Sequence, residues 1–177
     1  MLAMPAQQLR LEPWANFYVI VSAAAATLLG LLFVVIALAA ERGRREDAPK
    51  IRIYLTPVVI YFTSALVMSA LLTVPSHTPV AAAICVCLPG IAGLVYSGSL
   101  AIRRAGSGFY EARSDLFPYV VFPFAAYALV VAGGTLFVRK PDTGLNLVAA
   151  GMLVLLCVAI RNSWSIAVTI VSMRDRD

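Results

Sequence analysis

Few residues in this chain could do chemistry, and their spacing suits chemistry poorly. The only histidine, His77, stands in the run Pro75-Ser76-His77-Thr78-Pro79. An imidazole there could take a metal ion or titrate near neutral pH. A histidine alone in a proline-bounded turn is ordinarily just solvated, so no site is assigned to it. Cys85 and Cys87 are two apart, which on a helix turns them to different sides and denies a metal two converging thiolates. With Cys157 they form an odd set inside apolar sequence, where a cysteine acts as a small packing residue. The nine acids lie in polar stretches or at the ends of apolar ones, so no acid pair meets within a helix. No phosphate-cradling glycine loop is visible. The expectation is a protein that is not an enzyme, with no catalytic, cofactor-binding or metal residue.

Arg161 is the one charge embedded in apolar sequence, between Ala159-Ile160 and Asn162-Ser163-Trp164. A charge at the centre of a bilayer costs at least ~2.5–3.5 kcal/mol, so its depth decides its meaning. Counting from Thr143 at ~1.5 Å per residue puts Arg161 about 27 Å along a helix, near the far headgroups. Trp164 agrees with that depth, and there an arginine reaches up to the interface. Ile166, Ala167, Val168, Ile170 and Val171 pull the other way. If the span slides toward them, Arg161 becomes an intramembrane charge that needs a partner or a wet cavity. A helical stripe through Asn146, Ala150, Cys157, Arg161, Ser165 and Thr169 would either pack against a helix or line a polar path.

The elements that must position these residues are apolar. Of 177 residues, 61% are apolar and 13% charged, against roughly 45–50% and about 25% in soluble domains. That excludes a typical soluble enzyme, a coiled coil, a disordered chain and a disulfide scaffold. At about 20 residues per span, the apolar blocks predict an all-α, polytopic membrane protein. Its single transmembrane domain over 1–177 is a bundle of five transmembrane helices at about 15–40, 53–74, 80–102, 116–138 and 145–164, with a cytoplasmic helical extension over 165–173. The first block is longer than the roughly 7–15 apolar residues of a signal peptide, and is read as a retained span. The segments 75–79, 103–108 and 139–144 are read as loops. Pro89-Gly90 predicts a kink in the third span, and Pro123 a bend in the fourth. No internal repeat is visible, so an inverted-repeat transporter has no support.

Charge sets the orientation. Between the first and second spans lie Arg42, Arg44, Arg45, Lys50 and Arg52; between the third and fourth lie Arg103, Arg104 and Arg113; Arg174 and Arg176 follow the last. These ten share one side, against Arg10, Arg139 and Lys140 on the other. The positive-inside bias puts the N-terminus outside and the C-terminus in the cytoplasm. The net charge of +5 is therefore read as a topology signal, and no nucleic-acid partner is expected. Ser22, Ala26 and Gly30 in the first span, and Gly93 and Ser97 in the third, recur at helical spacing as helix-packing residues. They make the lipid bilayer, a second copy of the chain and another membrane protein the expected partners. The segment Gly108-Phe109-Tyr110-Glu111-Ala112-Arg113-Ser114-Asp115 is read as a connector with its aromatics among headgroups.

The first span reads Trp14-Ala15-Asn16-Phe17-Tyr18, then an alanine run, then Leu29-Gly30-Leu31-Leu32-Phe33-Val34-Val35. This resembles the opening span of small bacterial multi-pass membrane proteins that begin Trp-x-x-Phe-aromatic and continue into an Ala-rich Gly-Leu-x-Phe-Val helix. The likeness covers that span alone. It implies a bacterial inner-membrane protein with no assigned reaction, and carries over no functional residues. The function expected from the whole is a non-enzymatic membrane subunit, self-associating or supporting an assembly. The alternative is a homo-oligomeric ion channel or pore lined by the fifth helix.

Overall fold

A computed structural model describes residues 11–42, 48–75, 78–105 and 120–174, with side chains over 11–37, 55–75, 78–102 and 120–168. The described residues form five α-helices and no strand: α1 (Ala15–Arg42), α2 (Ala48–Thr73), α3 (Pro79–Ala105), α4 (Phe122–Leu136) and α5 (Pro141–Arg174). Four of them, all but α4, are long and apolar enough to cross a membrane. In hydrocarbon a helix satisfies its backbone from within, which is why such sequence adopts little else.

The helix starts carry local signals. Thr78 precedes α3, and its Oγ1 accepts from the Ala81 N–H at 3.2 Å, with Pro79 as the first helical residue. The α4–α5 connection is four residues, tightened by the Arg139 and Lys140 N–H groups donating to the Leu136 carbonyl at 3.0 and 2.8 Å. The expected loop over 139–144 is thus shorter than the sequence suggested. Pro141 and Asp142 open α5, because proline suits a first helical position and an acid suits the helix's positive end. At its other end α5 runs to Arg174 without a break at 164, so the anticipated extension is one helix with the span.

The fourth span, expected over 116–138, is described from residue 120 onward. A π-type turn at 120–121 leads into α4, and Pro123 stands in the first turn of α4. Residues 106–119 lie outside the described residues, and with them the segment from Gly108 to Asp115. Pro89 is inside α3, as Pro57 is inside α2, and both helices continue through their prolines.

Contacts give the arrangement. α2, α3, α4 and α5 close a ring in which each packs on its two neighbours, and α1 lies on α2 with a smaller contact to α5. Residue numbers rise on one helix as they fall on the next: Gly133 meets Gly144 and Gly151 meets Ala126, while Gly90 meets Val131 and Gly134 meets Cys87. Neighbours in the ring are antiparallel, as short connections require. α5 is the most enclosed, with 56% of its apolar window buried, and α1 the least at 17%. One stripe of α1, through Tyr18, Val21, Ala25 and Leu32, is buried against the ring.

Candidate functional site

Two groups of polar residues stand out, one inside the ring and one outside it. The inner group centres on Tyr127 of α4. Its ring lies over Gly93 of α3, where any Cβ would overlap it. Its hydroxyl shares a 2.8 Å hydrogen bond with Ser64 Oγ of α2, and the Tyr61 ring is 6.3 Å away, centroid to centroid. Three helices thus meet at one side chain. Farther along α2, Ser69 Oγ donates to Met152 Sδ of α5 at 3.3 Å. Ser97 on α3 and Tyr18 on α1 are buried with hydroxyl oxygens that have no hydrogen-bond partner. These few polar groups sit in an otherwise apolar core.

Gly93 and Ser97, expected as helix-packing residues, are buried on α3; a close backbone approach between α4 and α5 was not anticipated. α4 crosses α5 backbone to backbone at Gly133 and Gly144, where a Cβ on either would stand 2.6 Å from the other's carbonyl oxygen. Gly151 repeats this against the Ala126 carbonyl at 2.7 Å. The signal was present as Gly144, Gly151 and the Gly133-Gly134 pair, small residues in apolar helices. What the sequence lacks is which helix faces which.

The outer group is the stripe expected on α5. Asn146, Ala150, Cys157, Arg161 and Ser165 are all exposed along one side of the helix, away from the ring. Thr169 lies on the same helix, with its side chain outside the described residues. Large apolar side chains stand between them: Leu153, Ile160 and Val168 are about half exposed and Trp164 is 72% exposed. Asn146 turns back, its Nδ2 donating to the Asp142 carbonyl at 2.8 Å. Arg161 Nη1 donates to Oδ1 of Asn162 at 3.4 Å, and Asn162 is fully buried. On α1, Ser22 is half-buried while Ala26 and Gly30 are exposed, and a Cβ on Gly30 would meet nothing within 4 Å. These three sit off the α1 stripe that packs on the ring.

Among the described residues no group of three or more His, Cys, Asp or Glu side chains could hold a metal ion. His77 lies outside them. Cys87 Sγ donates to the Val131 carbonyl at 3.8 Å, and Cys85 and Cys157 are free thiols. What the arrangement offers chemically is surface: small residues on α1, and on α5 a cation beside an indole. Compared with known proteins, the chain matches no family model, no curated protein and no solved structure.

Proposed function

We propose that the chain is a non-enzymatic subunit of a bacterial inner membrane, crossing it five times with the N-terminus outside, and that it self-associates or supports a larger assembly. The antiparallel packing of α4 against α3 and α5 supports counting it as the fifth crossing. The charge bias of ten against three supports the orientation. Thr78→Cys, in a chain whose own cysteines are replaced, tests it: an impermeant maleimide should label intact cells. Labelling only after permeabilisation overturns the orientation.

Self-association rests chiefly on the open space at Gly30, one turn beyond the exposed Ala26. Lipid gives helices no hydrophobic reason to meet, so close backbone approach over small residues drives their association. Spent on the outer side of α1, such residues suit a second chain. Ala26→Leu with Gly30→Leu should lower the oligomer fraction in mild detergent and leave the protomer folded. A native chain that stays monomeric in nanodiscs removes this reading.

A homo-oligomeric pore is the second reading, favoured by the outward side of α5 that carries Asn146, Arg161 and Ser165. A polar path between copies needs such a face, and a ring of arginines would select anions. Leu153, Ile160 and Val168 on the same face count against a wetted lining. Conductance in planar bilayers tests it, with Arg161→Glu expected to move selectivity toward cations. Silence across voltage, pH and tension ends it.

A further inference from the structure

We infer that Arg161 and Trp164 form a binding site for the phosphate headgroup of an anionic phospholipid, on the outer face of α5. The inference rests on the chain spanning a membrane and is independent of self-association through α1. Arg161 and Trp164 are three residues apart, so they are neighbours on one helix face, and both are exposed. The guanidinium has five N–H donors, of which one Nη1 hydrogen is engaged, by Asn162 Oδ1 at 3.4 Å. Asn162 is fully buried while Arg161 is exposed, so the hydrogen bond ties an outward side chain to the edge of the bundle.

Depth supplies the chemistry of the partner. α5 begins at Pro141, and 20 residues at ~1.5 Å each carry it about 30 Å to Arg161, one hydrocarbon thickness. The helix is still seated on the bundle there, because Ile166 beyond it is buried in the core. An exposed arginine at that level meets the phosphate layer, and a planar fork of donors matches phosphate oxygens two at a time. The indole N–H of Trp164, 72% exposed, is a further donor at the same level. The apolar residues on either side, Ile160 and Val168, suit acyl chains. Net negative headgroups are preferred because the cation has no carboxylate partner among the described residues.

The test uses the full chain with Trp14→Phe, so that Trp164 is the only indole. It is reconstituted in equal mixtures of phosphatidylglycerol and phosphatidylcholine, with one lipid or the other brominated high on its acyl chains. Quenching of Trp164 by brominated phosphatidylglycerol should correspond to roughly fivefold enrichment over phosphatidylcholine, the attraction expected of one arginine at an anionic surface. The enrichment should vanish with Arg161→Gln and persist in part with Arg161→Lys. Trp14, kept in a Trp164→Phe chain, should be quenched in both mixtures whatever stands at 161, which reports that each variant is inserted. Equal quenching of Trp164 by the two lipids, or a preference that survives Arg161→Gln, overturns the site. So does a Trp164 shielded from both brominated lipids, which would mean that a second copy covers α5.

Discussion

Tyr127 joins α2, α3 and α4 through one ring, and two kinds of force hold it there. Its hydrogen bond to Ser64 is worth about 0.6 kcal/mol on the average of measured membrane pairs. Its seat over Gly93 is worth more, because overfilling a packed site costs about 1–3 kcal/mol. Gly93→Ala should therefore destabilise the chain more than Tyr127→Phe when both are unfolded by denaturing detergent in mixed micelles. The reverse order would mean that the hydroxyl dominates. Ser97 should behave differently. Its buried hydroxyl has no partner, a state that costs about 1–3 kcal/mol, so Ser97→Ala should stabilise the chain. Loss of stability instead would show that the hydroxyl is bonded. Sequence spacing identified Gly93 and Ser97 as residues of one face, but not the ring above the first or the unmet hydroxyl of the second. The ring belongs to Tyr127 on another helix, and the unmet hydroxyl depends on what the neighbouring helices fail to offer.

At the scale of helices, hydropathy was a good guide to number and a poor one to ends. All five expected spans coincide with a helix, because uninterrupted apolar sequence in lipid has few other solutions. The ends moved where polar residues were read as loop: Pro141 to Gly144 became the first turn of α5, and Ser165 onward its continuation. Helix start signals, a proline and an acid, outweighed polarity there. The α4–α5 crossing was only half legible, since glycine announces close approach without naming the approaching helix. Gly133→Leu would drive a side chain into the backbone of α5, and should unfold or splay the pair, seen as loss of a compact monomer. Gly30→Leu should leave the monomer intact and affect only association. If the two substitutions act alike, the division between inner and outer glycines is wrong.

At the largest scale the described helices form a closed ring of four with a fifth laid against it. Hydropathy does not show that inequality, because α1 is the longest apolar block in the chain. A helix uniformly apolar has no face that betrays how little of it is covered, and burial here follows the extent of contact: α5 packs on α4, α2 and α1, whereas α1 packs mainly on α2. Both outward surfaces, on α1 and on α5, carry the proposals, and each can be altered without touching the ring. The unequal attachment of α1 also has a consequence for assembly. A ring that closes on α2, α3, α4 and α5 does not need α1 to be covalently its own. The seat on α2 and α5 recognises Tyr18, Val21, Ala25 and Leu32, and a neighbouring copy offers the same four. Co-expressed fragments 1–45 and 46–177 should therefore copurify as a reconstituted protomer. In the intact chain the same seat permits α1 to be traded between copies, a domain swap that makes dimers without any new interface.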